Sequence, residues 1–162
     1  GEYGVAVLSK WPLSEEQVVR LPTKAGTGGE PRTLTTATVT TPGGTEIRFG
    51  STHLDAQGED TNRLLQIQKI VEIGQQEDSP FIIAGDFNAV PGSEVMNISD
   101  SHFDRTCRVC PLTSSANNPV RTIDYIIFHH PEDKFKVKNH KAIDESYASD
   151  HRPIVAEIDI LK

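Results

Sequence analysis

No apolar run in this chain approaches the roughly 20 residues that a membrane-spanning helix needs, and no leader of secretory type precedes Gly1. The expectation is a soluble protein whose compartment stays open, a secreted or periplasmic one included. Positive charge is also scarce: 16 Lys and Arg stand against 23 Asp and Glu, for a formal charge of −7 and a pI near 5.3. Proteins that grip nucleic acid non-specifically do so through cations that neutralise phosphates, so this balance lowers the standing of duplex DNA as a substrate. Cysteine is limited to Cys107 and Cys110. No second pair at that spacing completes a zinc site, and no strand-then-helix pattern surrounds them as a thioredoxin-like motif requires. They read as two ordinary loop or strand thiols, with a local disulfide as the lesser alternative. Internal repeats are missing, and the only low-complexity tract is Gly26-Thr-Gly-Gly29, a loop tip.

The rest suffices for a core. At 162 residues, 36% hydrophobic and 24% charged, the chain reads as one domain over residues 1–162. Strands are expected at Tyr3–Leu8 and Val18–Leu21, then at Thr33–Thr40 and Thr45–Thr52 around the hairpin signal Pro42-Gly43-Gly44. Asp60 or Thr61 can cap a helix reaching about Gln76, with Leu64, Ile67, Ile70 and Val71 as its buried stripe. Further strands are expected at Phe81–Ala84, Thr122–Phe128, Phe135–Ala142 and Ile154–Ile160, with a short helix near Ser93–Ile98.

The most informative stretch runs from Ala84-Gly-Asp86-Phe-Asn88 to Pro91-Gly-Ser93. It puts a carboxylate and a carboxamide at the carboxyl end of a buried strand, where open α/β sheets place ligand sites. In isolation Asp-Phe-Asn serves equally well as a solvated or Asx turn. Three further polar clusters accompany apolar strands: Ser51-Thr-His53-Leu54-Asp55, Arg121-Thr-Ile-Asp124-Tyr125 and Ser149-Asp150-His151-Arg152-Pro153. An imidazole titrates near neutrality and can take a proton from water, which makes His151 a candidate base. Asp124 lies inside an otherwise apolar strand, and a buried carboxylate there must be paired with something.

Taken in this order, the four motifs resemble the endonuclease/exonuclease/phosphatase superfamily of metal-dependent phosphodiesterases and phosphatases. The resemblance implies an α/β fold, part of a four-layer α/β/β/α sandwich with mostly antiparallel sheets. It also implies phosphoester hydrolysis with Mg²⁺, or Mn²⁺ in its place. In it, Asp124 and His151 match the family's pair of orienter and base. Asp86 positions the nucleophilic water or acts near the leaving group, and Asn88 donates its amide to a phosphoryl oxygen. His53 matches a second imidazole that donates to the phosphate or protonates the leaving oxygen. Asp150 matches a carboxylate that supports the metal. Arg63 and Arg121 stand where a guanidinium could meet the substrate phosphate, although a solvated helix-surface arginine fits Arg63 equally.

Family members begin with a strand ending in Asn and then a Glu that is the principal Mg²⁺ ligand. Here Gly1-Glu2-Tyr3-Gly4 through Pro12 resembles the strand and turn that come after that Glu, and Glu2 itself has no apolar strand before it. The expectation is therefore a C-terminal portion without that ligand, weakly active alone, whose exposed sheet is covered by a missing N-terminal segment or by another copy. The alternative is a non-catalytic module that keeps the fold and binds a phosphorylated ligand or a protein. The substrate class (DNA, RNA, phospholipid or sugar phosphate) is open. Short loops and 6% aromatic residues show no clear sign of the groove-reading inserts of the nucleases or the aromatic hairpin of the sphingomyelinases. His102, His129, His130 and His140 fall in no motif.

Overall fold

The computed structural model describes residues 4–161. A run rich in Thr and Val gives β2 (Arg32–Thr40), which pairs antiparallel with β1 (Leu13–Leu21) before it and β3 (Glu46–His53) after it. The β2–β3 turn forms where expected, with Gly44 at φ +81° and its N–H donating to Thr41 O. A parallel neighbour for β3 requires a crossover. Helix α1 (Thr61–Gly74) supplies it and delivers the chain to β4 (Phe81–Asp86). The short helix α2 (Glu94–Ser99) begins at Ser93, whose hydroxyl accepts from the Met96 N–H. Next come β5 (Asp104–Arg105) and β6 (Asp124–His129). The resulting six-stranded sheet has the order β1-β2-β3-β4-β6-β5, while β7 (Phe135–Ala142) and β8 (Ile154–Ile160) form a separate antiparallel pair.

Side-chain alternation along β4 divides the interior in two. Phe81 and Ile83 face the helices within a cluster that includes Ile67, Ile70, Met96 and Tyr125. Ile82 faces the other way with Ile47 and Phe128, against Phe135, Val137, Ile158 and Ile160 of β7 and β8. Helices, large sheet and small sheet are thus three layers of the α/β sandwich, and the sheets are mostly antiparallel as the motifs implied. The small sheet covers only part of its neighbour. An apolar cavity of about 380 Å³ remains between them, lined by Trp11, Phe49, Ile82, Ala84, Ile126 and Ile158 among others.

Several sequence expectations give way. Of the strand expected at Tyr3–Leu8, Tyr3 lies outside the described residues, as does Glu2, and residues 4–8 form no strand; Leu8 is 92% exposed. An apolar alternation makes a strand only where an edge is offered to it. β1 is longer than foreseen, and two-residue β5 is too short to leave a periodic signal. Asp60 occupies the N-cap of α1 without a capping bond, because its carboxylate accepts from Arg63 Nε instead (2.7 Å). Cys107 and Cys110 are not free thiols: the turn between them brings their Cα atoms to 4.9 Å and they form a disulfide.

Candidate active site

Register builds the core of the site. His53 is the partner of Asp86 across the parallel β3–β4 pair, and Asp86 is the partner of Asp124 across the antiparallel β4–β6 pair. One row of three neighbouring strands therefore carries an imidazole and two carboxylates on the same face. It is the face of Ile82, Ala84 and Ile126, turned toward the small sheet, because residues an even number apart share a side. Close backbone approach holds this row: a Cβ added to Gly85 would lie 1.9 Å from Thr52 O.

His151 arrives from the loop before β8. Its Nδ1 lies 3.2 Å from Asp124 Oδ1 and 3.1 Å from Oδ2, with Asp86 Oδ2 at 3.7 Å. His53 Nε2 approaches Asp86 Oδ2 from the other side at 3.5 Å. The ligating atoms of Asp86, Asp124 and His151 all fall within 4.8 Å of one another. They open onto a cleft of about 260 Å³ lined also by Gly85, Ser149, Arg152, Pro153 and Ile154. A larger cleft, about 710 Å³, lies at the β5–β7 edge with none of these acid–base groups, so the chemistry singles out the smaller one.

The electrostatics separate the two imidazoles. Burial disfavours charge on His151, but the hydrogen bond and charge of Asp124, with Asp86 and Asp150 adding to them, outweigh it and raise its pKa above the ordinary histidine value. His53 moves the other way: burial lowers its pKa, Asp86 opposes, and the charges of Arg32 and His151 reinforce the lowering. Asp86 is raised, chiefly by burial and then by the carboxylate of Asp124, against the stabilising Asn88 N–H. The neighbouring carboxylates thus favour the charged form of His151, while burial disfavours it in His53.

Asn88 combines both readings of its motif. Its N–H donates to Asp86 Oδ1 (2.7 Å), which is an Asx turn, and its φ of +48° is the left-handed conformation that asparagine tolerates. Its Nδ2 donates to Leu54 O (3.0 Å), fastening the Asp86 loop to the end of β3. Tyr125 also braces the loops: its hydroxyl lies 2.9 Å from Ala89 O and 3.1 Å from Thr122 O, and burial raises its pKa.

The remaining candidates stand apart. Asp150 is exposed and outside the Asp86–Asp124–His151 cluster; its main-chain carbonyl accepts from Ala116 N–H (2.6 Å), and its charge reaches the site only by raising the pKa of His151. Arg63 is turned inward and only 6% exposed, where its guanidinium donates to Asp55 O, Gln57 O and Gly58 O and meets Asp60. It organises the loop after β3 rather than facing a substrate, because four acceptors in one bend match a planar five-donor fork. Arg121 is exposed, and its carbonyl accepts from the N–H groups of Thr113 and Ser114. Sequence reasoning missed Arg32, a buried cation whose field acts on His53. Nothing in its local motif distinguishes it from any strand-edge arginine.

The model of the Endonuclease/Exonuclease/phosphatase family matches residues 1–151. No curated protein matches the chain in sequence. Among solved structures, an endonuclease/exonuclease/phosphatase family protein from Bacteroides thetaiotaomicron superposes with a TM-score of 0.79 at 18% identity, over 93% of this chain and 66% of that one. A mannosyl-6-phosphatase from the same organism gives 0.76 at 21%, over 92% and 67%. The human Nocturnin catalytic domain with bound sulfate gives 0.71 at 23%, over 92% and 60%. At such identities the likeness establishes the fold alone, and the chain spans about two thirds of the length of these relatives.

Proposed function

Because the chain belongs to the endonuclease/exonuclease/phosphatase family, we propose that its cleft is a metal-dependent phosphoester hydrolase site in which His151, held by Asp124, activates the attacking water. The observation that carries this reading is His151 Nδ1 at 3.1 and 3.2 Å from the two oxygens of Asp124. With Nδ1–H donated to the carboxylate, Nε2 is left as the acceptor for a proton from water, and the imidazolium so formed is stabilised by Asp124. Asp86, in the same row, orients that water or serves the leaving oxygen. Neutral His53 donates a hydrogen bond to the phosphoryl group or to the leaving oxygen. Asn88 keeps one amide hydrogen for a phosphoryl oxygen while the other bonds Leu54 O.

The donor set fits a divalent cation. Two carboxylates paired across neighbouring strands, one raised in pKa by burial and by its neighbour's charge, are relieved by a positive ion. Asp86 and Asp124 would hold Mg²⁺ or Mn²⁺, with water filling the rest of the shell. Such an ion, when bound, neutralises charge that builds on the phosphoryl oxygens.

The alternative, a binding module without catalysis, has no use for an oriented His–Asp pair. The apolar cavity between the sheets and the greater length of the structural relatives support a further proposal, that additional polypeptide covers this face in the active form, whether an upstream segment or another copy. The test is a hydrolysis screen with Mg²⁺ across nucleic acid, phospholipid and sugar phosphoesters, with His151→Ala as control. Turnover of one class that His151→Ala abolishes is the expected result. Turnover unaffected by His151→Ala overturns the assignment of the base.

A further inference from the structure

Residues 110–116 run as a strap between the two halves of the His–Asp pair. On one side Thr122 Oγ1 donates to Pro111 O (2.7 Å) and Cys110 O (3.3 Å), and Ile123 N–H donates to Thr113 Oγ1 (3.4 Å). Thr113 and Ser114 N–H donate to Arg121 O at 2.9 and 3.1 Å. These bonds tie the strap to the chain that leads directly into Asp124. On the other side Ser114 forms an isolated antiparallel bridge with His151, Arg152 N–H donates to Thr113 O (2.8 Å) and Ala116 N–H donates to Asp150 O (2.6 Å). The residues flanking His151 are therefore bonded to the same strap as the residues preceding Asp124.

Backbone bonds fix the path of His151, and one side chain closes the arrangement. Arg152 Nε donates to Ala116 O (2.8 Å), and its guanidinium reaches across the loop to Asp144 Oδ1 at 2.7 Å. Asp144 is 85% exposed, so that ion pair is screened and contributes little. The Ala116 carbonyl is the contact that matters, because it joins the residue next to the base to the far end of the strap.

We propose that Arg152 is a positioning residue for this reaction: by locking residues 110–116 onto the His151 loop it sets the distance between His151 and Asp124. The inference rests on His151 being the base, and its test separates the two ideas. A misplacement of about 1 Å at a reacting group can cost on the order of a hundredfold, so loss of the lock is read in kcat; Arg152 also lines the cleft, but its guanidinium is engaged by Ala116 O and Asp144, so KM should move little.

The experiment compares Arg152→Met, Arg152→Lys and Asp144→Ala with the wild-type chain. It measures hydrolysis of bis(p-nitrophenyl) phosphate with Mg²⁺ and the solvent exchange of the His151 Nδ1–H proton by NMR. Arg152→Met keeps the apolar stem and removes the donors. Its kcat should fall by about tenfold or more with KM within about twofold, and its Nδ1–H exchange should quicken. Lysine, which can still donate to Ala116 O, should recover much of both, and Asp144→Ala should match wild type in both. Wild-type kcat in Arg152→Met, or equal losses in the Met and Lys variants with an unchanged Nδ1–H signal, overturns the proposal. If instead Nδ1–H exchange responds as described while His151→Ala retains turnover, the positioning stands and the assignment of the base fails.

Discussion

Asp124→Asn probes the centre of the mechanism with almost no change in shape. Both Asp124 oxygens lie near His151 Nδ1, at 3.1 and 3.2 Å, so asparagine can present either its carbonyl or its amide nitrogen. If the carbonyl faces Nδ1 the tautomer survives and only the charge is lost. A hydrogen bond to a charged partner is worth about 1.5–3 kcal/mol against about 0.5–1.5 for a neutral one, so loss of the charge alone costs about 1–1.5 kcal/mol, which at about 1.36 kcal/mol per tenfold is roughly 5- to 13-fold in kcat. If the amide NH₂ faces Nδ1, the imidazole must carry its proton on Nε2, where it can no longer accept one from water, and the loss extends to about 10⁴-fold. The two cases differ in a second observable, since Nδ1–H remains visible by NMR only in the first. At saturating Mg²⁺ KM should change little, because Asp124 acts on the reaction through His151 and through the metal it would help to hold, not by touching the substrate. The decisive assay is kcat and KM on whichever phosphoester the wild-type protein cleaves, alongside the His151 titration, whose midpoint should move down once its main supporting charge is gone. A downward shift with turnover within twofold of wild type would show that the pair exists but is not the water-activating machinery.

The same linkage gives a pH dependence with opposite signs for stability and catalysis. Burial disfavours the His151 imidazolium, yet the contacts with Asp124 leave its folded pKa raised; its stabilising contribution is full below the unfolded value and fades as pH rises through the folded one. Over that window kcat/KM should rise as the base form fills. Thermal unfolding of wild type against His151→Gln, and a pH–rate profile, check the two halves. Tyr125→Phe removes the hydroxyl shared by Ala89 O and Thr122 O and should cost about 1–2 kcal/mol, read as a lower denaturant midpoint at unchanged m-value; an unaltered midpoint would refute the bracing role. Calorimetry on the 162-residue chain should find weak Mg²⁺ binding, weakened further by Asp86→Asn, because the described cluster offers only two carboxylates and one imidazole. Tight stoichiometric binding would reveal an acidic ligand not identified above.

Much of the site was legible because strand ends are. Asp86 and Asp124 adjoin apolar runs and His53 closes a strand in a polar cluster, and β-structure turns such positions into a row once the register is known. The register itself was not legible. It depends on the parallel β3–β4 crossover through α1, a long-range pairing: the hydrophobic pattern fixes which face a residue takes, not which strands are neighbours. Arg63 shows the limit from another direction. A helix-surface arginine and one folded back over a loop have the same neighbours in sequence, and only the convergence of Asp55 O, Gln57 O and Gly58 O decides between them. The cysteine pair likewise needed the turn geometry that brings two Cα atoms within disulfide reach.

The difference between what could and could not be read depends on where each residue's partner lies. Asp86 and Asn88 have each other two positions apart, and the Asx turn their spacing suggests is the one that forms. His151 depends on Asp124, 27 positions away, and the loop that delivers it is held by backbone bonds to Thr113 and Ala116. Backbone donors and acceptors are the same in every residue, so a strap built from them leaves almost no compositional trace. A mutation map of this site should accordingly be uneven. Side-chain truncations at Asp86, Asp124 and His151 should abolish function directly, while changes at Ser114 and Ala116 should be tolerated unless they alter the main-chain path. Proline at Ala116, which deletes the N–H donated to Asp150 O, should impair turnover far more than serine or valine at the same position. Equal tolerance of proline, serine and valine there, measured as kcat in folded variants, would mean that the His151 loop holds its place without the strap.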